Sequence, residues 1–132
     1  MRRNCSHLLA TMLLVALVPL FVVGCGKGDM PDIGPVSGTV TLDSKPLAGA
    51  MVLFRPEEGR QSSARTDENG RYELKYIRDV MGAVVGPHKV IIRTANEDSS
   101  AERLPPRYNR QTTLTAEVTA EANTIDFVLK SH

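Results

Sequence analysis

The chain of 132 residues has no tryptophan, two cysteines, three histidines and no excess of charge of either sign. The cysteines are Cys5 and Cys25, both near the start, so everything after residue 25 must fold without a thiol or a disulfide. Three histidines, one of them His7 in the leader, leave His88 and His132 for chemistry. A zinc site needs three or four ligands from Cys, His or carboxylate, and a nucleophile needs a base in reach. Neither is set out here. His88 lies on an expected strand beside Pro87, where a lone histidine reads as a packed or surface residue, and His132 is the last residue. No catalytic residue, cofactor site or metal site is therefore expected, and the chain reads as a non-enzyme. The net charge of +1 offers no basic excess to attract nucleic acid. After Cys25 no segment shows a convincing 3.6-residue period, so no amphipathic helix is expected.

What is present begins with the leader. Arg2 and Arg3 precede a run from Leu8 to Val23 that is apolar but for Thr11 and broken by Pro19. At 16 residues it falls short of the roughly 20 that span a bilayer. With these flanks it reads as a secretory signal. It ends Val22-Val23-Gly24-Cys25, which resembles the lipobox of bacterial lipoproteins, with Val22 where leucine is commoner. The resemblance implies cleavage before Cys25 and acylation of that residue, with a thioether-linked diacylglycerol and an acylated amino group (palmitate among its chains). Anchoring to a membrane follows, since about two chains hold stably. Residues 1–24 are then a signal peptide, and the remaining 108 carry 14 basic and 15 acidic side chains, a net charge of −1. Gly26 stands where enteric lipoproteins kept in the inner membrane have Asp. By the same resemblance the protein belongs to the cell envelope, at the outer membrane.

Residues 25–35 include Gly-Lys-Gly-Asp-Met-Pro-Asp-Ile-Gly-Pro, rich in Gly and Pro, and read as a flexible tether. Period-two alternation follows. Val36, Gly38, Val40 and Leu42 alternate with Ser37, Thr39 and Thr41; Ala50 to Phe54 is a second strand. Ser63 to Thr66 reads as a short edge strand, and Asp67-Glu68-Asn69-Gly70 as a turn in which Asn-Gly takes positive φ. Tyr72, Leu74 and Tyr76 mark one further strand, and His88 to Thr94 another, with Val90 and Ile92 facing opposite to Lys89, Ile91 and Arg93. Leu114, Ala116 and Val118, then Ile125, Phe127 and Leu129, complete the set. Strands about ten residues apart with turns between them predict an all-β fold, an antiparallel Greek-key sandwich of about seven strands, over residues 36–130.

The order of motifs then becomes specific. Val36-Ser-Gly-Thr-Val followed by Lys45-Pro-Leu-Ala-Gly-Ala-Met-Val-Leu-Phe, the hairpin Thr66-Asp-Glu-Asn-Gly-Arg-Tyr-Glu-Leu, and Gly86-Pro-His-Lys-Val-Ile-Ile resemble the carboxypeptidase-regulatory-like, transthyretin-like domains. Leu104-Pro-Pro-Arg-Tyr-Asn with the last two strands is similar to the endings of small planctomycete-type lipoproteins that carry this domain. Ser44 stands where the family often has Gly. The resemblance implies an Ig-like or transthyretin-like sandwich and a non-catalytic module. Hydroxyisourate hydrolases share the fold, but they use several histidines and end Tyr-Arg-Gly-Ser, whereas this chain ends Leu129-Lys-Ser-His.

The expected role is thus a structural or protein-interaction module of the envelope. The alternative is a carbohydrate- or peptide-binding accessory module. Candidate contacts lie on the long polar connection Asn96 to Gln111, at Arg107, Tyr108 and Arg110, because Arg and Tyr are over-represented among residues that dominate binding. A second reading has Tyr108 packed beneath the loop and bonded to backbone, holding it in place.

Overall fold

The computed structural model describes residues 30–95 and 101–132. Val22, Val23, Gly24 and Cys25 lie outside the described residues. In chain order the strands are β1 (Ile33–Gly34), β2 (Val36–Leu42), β3 (Lys45–Pro46), β4 (Met51–Pro56), β5 (Ser62–Arg65), β6 (Arg71–Glu73), β7 (Lys75–Ile77), β8 (Val80–Met81), β9 (Ala83–Val84), β10 (Gly86–Arg93), β11 (Thr115–Val118), β12 (Asn123–Thr124) and β13 (Phe127–Leu129). A 3-10 turn, Pro106–Tyr108, stands between β10 and β11. Among the described residues no helix is long and apolar enough to cross a membrane.

The fold is all-β, with most strands antiparallel, as the alternation predicts. One sheet runs β11-β10-β4-β5-β7-β8. Within it the order β10-β4-β5-β7 is that of a Greek key, the fourth strand returning beside the first. The other sheet is built on β2, with β12 and β13 along one side and β3 and β6 along the other. Inward residues of both sheets fill the core: Val36 and Val40 from β2, Val52 and Phe54 from β4, Val90 and Ile92 from β10, Phe127 and Leu129 from β13. Alternate residues of a strand share a face, and burial follows that alternation in β2 and β10.

The structure departs from the alternation at four places. First, Ser62–Arg65 lies inside its sheet between β4 and β7 rather than at an edge. Second, Tyr72, Leu74 and Tyr76 do not form one strand. The chain leaves the β2 sheet at Glu73 and joins the other sheet at Lys75. Leu74, fully buried, makes the corner, its N–H donating to Val36 O at 2.9 Å and its carbonyl accepting from Gly82 N–H at 2.7 Å. Third, β12 and β13 pair parallel with β2. Fourth, the irregular tether stops short of Pro35. Ile33–Gly34 pairs with β9, and the Pro35 carbonyl accepts from Asn123 N–H at 2.8 Å. Two-residue strands are too short to show a period, so pairing with a distant partner decides them.

The turns explain the motif residues. Thr66 Oγ1 accepts from Ala50 N–H at 2.8 Å and donates to Leu47 O at 2.6 Å, tying two loops together inside the protein. Asp67 Oδ1 accepts from the N–H groups of Asn69 and Arg71, each at 2.9 Å, so this carboxylate is spent on its own turn. Gly70 has φ +75°, and a Cβ there would stand 2.5 Å from the Val40 carbonyl. Asp43 and Ser44 take φ +50° and +70°, so Ser44 adopts the positive φ that a glycine usually supplies in a two-residue hairpin. The Asp43 carboxylate accepts from Ser131 Oγ at 2.6 Å and Ser131 N–H at 3.0 Å, which holds its pKa below the ordinary carboxylate value.

Candidate functional site

The long connection between β10 and β11 starts with a clasp. Glu102 accepts from Thr94 N–H (2.9 Å), Thr94 Oγ1 (2.8 Å), Ala95 N–H (3.2 Å) and Leu104 N–H (3.0 Å). Burial opposes the charge on Glu102, but the donors from Thr94, Leu104 and Ala95 prevail and lower its pKa. Arg103 N–H closes the loop by donating to Thr94 Oγ1 at 2.8 Å. The two ends of the segment 96–100 are therefore held together, although that segment itself lies outside the described residues.

Further along, Pro105-Pro106 leads into the 3-10 turn, and Tyr108 points inward, 8% exposed. Its hydroxyl accepts from Lys130 N–H at 2.9 Å. Arg107 lies over the Tyr108 ring, 4.8 Å from its centre, and donates to Lys130 O at 2.7 Å and His132 O at 3.1 Å. Thr112 Oγ1 donates to Val90 O at 2.6 Å, and Asn109 Nδ2 to Pro105 O at 3.2 Å. The connection is thus fastened to β10 and to the end of β13. Of the three candidate contacts, Tyr108 is a buried staple, which corrects the contact reading and agrees with the second one, a tyrosine packed beneath the loop. Arg107 is exposed but engaged with the chain end, and Arg110 is exposed.

Tyr108→Phe is expected to cost about 1 kcal/mol, since it leaves Lys130 N–H without its acceptor while keeping the ring. Tyr108→Ala is expected to cost about 3 kcal/mol or more through the cavity it opens. Thermal melts of the two variants check both values, and equal melting temperatures for both would contradict the staple.

Beside this connection runs a cleft of about 910 Å³. Its floor is the outer face of β4 and β10, where Leu53, Arg55, Lys89, Ile91 and Arg93 point away from the core. Glu102, Leu104, Asn109 and Arg110 form its wall. A second hollow of about 460 Å³, with Pro56, Glu57, Pro87 and Thr115, shares Arg55 and Lys89 with the first. The two adjoin at these side chains along the sheet and together are called the trough. Leu53 is only 7% exposed although it faces outward. Of the candidate contacts Arg110 lines this trough, while Arg55, Lys89 and Arg93 were not among them. The outward sense of Lys89 and Arg93 was legible, but Arg55, which stands opposite Lys89, was not.

His88 is 3% exposed, with its ring 5.5 Å from that of Phe54. Its Nε2 lies 2.6 Å from Val84 O and must donate to it, so Nε2 carries the proton, and Nδ1 is buried without a partner. Ser62 Oγ, on the strand next to Phe54, is also buried without one. The hydrogen bond of His88 runs to a backbone carbonyl, as in a packed residue that fastens β10 to β9. Among the described residues no group of three or more His, Cys, Asp or Glu side chains is arranged to hold a metal ion.

No family model matches the chain, and no curated protein matches it significantly in sequence. Its structure is similar to the crystal structure of a DUF3823 family protein from Parabacteroides merdae, at 11% identity and a TM-score of 0.49. The similarity covers 75% of this chain and 46% of that one. The match thus spans less than half the length of that protein.

Proposed function

We propose that this protein is a non-catalytic module of a bacterial cell envelope, anchored to the outer membrane by acyl chains on Cys25. In this reading it is a small lipoprotein whose domain is of the carboxypeptidase-regulatory-like type, and it serves as a structural or protein-interaction unit. The observation that carries the reading is Val22-Val23-Gly24-Cys25 at the end of an apolar run with a basic start. Two further features support it. The only histidine within the described sandwich is committed to the backbone. The long connection is stapled down, and the trough beside it is open to a partner.

Cys25→Ala is expected to abolish acylation and the cut before residue 25, because the lipid is attached to that sulfur. The protein should then persist as an uncleaved, unacylated precursor that still carries the apolar run Leu8 to Val23. Mass spectrometry of the purified wild-type N-terminus should find an acylated Cys25. A free N-terminus at any other residue would end the lipoprotein reading. The alternative, a carbohydrate- or peptide-binding accessory module, is separated by cross-linking in intact envelopes, which recovers either a protein neighbour or a glycan.

A further inference from the structure

We infer that the outer face of the six-stranded sheet docks an extended acidic polypeptide segment in which two carboxylates flank an apolar residue at alternate positions. The inference deepens the interaction-module reading and rests on it for the partner being a protein.

Strand register sets out that face. Lys89 stands directly beside Arg55, Ile91 beside Leu53, and Arg93 beside Met51. The rows continue across β5 and β7: Leu53 pairs with Ser63 and Met51 with Arg65, while Ser63 pairs with Lys75. These nine positions hold five cations and no acid. Residues 25–132 have a net charge of −1, so the cations are segregated onto this face rather than reflecting a basic protein.

Like charges directly opposite each other destabilise a sheet, so Lys89 beside Arg55 does not serve the fold. Glu102 on the trough wall is already held by four donors. Glu57 and Glu117 stand at the far end, beyond Pro56 and opposite Pro87. Glu97 and Asp98 fall outside the described residues.

The spacing selects the partner's backbone. Along β10 the outward order is cation, apolar, cation: Lys89, Ile91, Arg93. Same-face residues of an extended chain recur every ~6.6–6.8 Å, so an acid-x-apolar-x-acid segment lying along β10 places a carboxylate at each cation and its apolar side chain over Ile91 and Leu53. Arg55, Arg93 and Arg110 can each take a carboxylate in two parallel hydrogen bonds. A sugar ring would find no Phe, Tyr or Trp among the trough's lining residues to stack on, and the His88 ring there is buried. A flat lipid surface would meet the cations but not Leu53, sunk to 7% exposure.

The test uses the full lipidated chain in detergent micelles and a fluorescein-labelled peptide containing Glu-Ser-Leu-Ser-Glu. Its controls are a peptide of the same composition ordered Glu-Glu-Ser-Ser-Leu, and a sulfated oligosaccharide. Fluorescence anisotropy at low salt should show saturable binding of the first peptide, weakening as salt rises. Combined Lys89→Gln and Arg93→Gln should weaken it by about tenfold or more, a loss of ~1.4 kcal/mol or more. Both residues are exposed and Lys89→Gln relieves the like-charge pair with Arg55, so the melting temperature should not fall. No saturable binding, equal binding of the reordered peptide, undiminished binding by the double variant, or binding of the oligosaccharide alone would each overturn the inference. If the peptide fails while envelope cross-linking still recovers a protein neighbour, this surface is wrong and the module reading stands. If cross-linking recovers only glycan while the peptide still binds, the module reading falls instead.

Discussion

Phe54→Ala is expected to remove about 3–5 kcal/mol of stability, the usual cost of emptying a buried aromatic site. A domain of this size has only about 5–15 kcal/mol in all, so the variant should lose at least about a fifth of its stability. The reason is the position of the ring. Phe54 comes from β4 in one sheet and is fully buried. Its centre lies 6.5 Å from that of Tyr72 on β6 and 6.1 Å from that of Phe127 on β13, both in the other sheet. It lies 5.5 Å from His88 on β10. One side chain thus joins both layers, and these centre distances fall in the range where aromatic pairs add to simple area burial. Denaturant titration of the wild type and the variant checks the value. A loss below about 1 kcal/mol would mean that the sheets are held elsewhere.

Gly38→Val is expected to prevent the native pairing of the β2 sheet. Intrinsic strand preference argues the other way, because valine is favoured in strands and glycine is not, so the sign of the effect is decisive. Gly38 pairs with Tyr72 on β6. On the other side of β2, a Cβ at Gly38 would overlap the carbonyl of Ile125 and stand 3.0 Å from the Tyr72 ring. That carbonyl cannot retreat without loss. It accepts from the Tyr72 hydroxyl at 2.5 Å, while Ile125 N–H donates to Ser37 O at 2.8 Å. The next residue, Asp126, takes Thr39 N–H on its carboxylate at 2.8 Å. Here a tyrosine hydroxyl and a carboxylate interrupt the plain ladder between β12 and β13. Burial, with Asp126 nearby, pushes the Tyr72 hydroxyl pKa well up, so it stays a donor throughout the usual pH range. Overpacking a tight core site costs about 1–3 kcal/mol for an added methylene or two. Valine at a position already closed to a methyl group should exceed that. Near-UV circular dichroism and melting curves report the outcome. A cooperative melt within a few degrees of the wild type would show that β12 and β13 can move aside.

Several elements of the fold were legible because alternation carries them directly. Val36, Val40, Val52, Phe54, Val90 and Ile92 are all buried where a period of two places them. The Asn69-Gly70 turn follows from the one position whose φ must be positive. The tyrosine that holds the long connection was also within reach, as one of two readings of Tyr108. The corner at Leu74 was not legible. An inward leucine looks the same whether the strand continues or changes sheets, and here the bonds to Val36 and Gly82 decide. Nor was β1 legible, since Ile33–Gly34 has no pattern of its own and exists only against Ala83–Val84.

The sequence by itself determined which residues share a face of each strand, because side-chain alternation is a local property of an extended backbone. Only the tertiary structure decided which strand lies beside which. That choice depends on burying the inward faces of segments far apart in the chain, and it brings Lys89 next to Arg55 across 34 residues of sequence. The same choice lays the last strand, β13, parallel to β2. The cationic trough is a product of that pairing, so no local reading of either strand contains it.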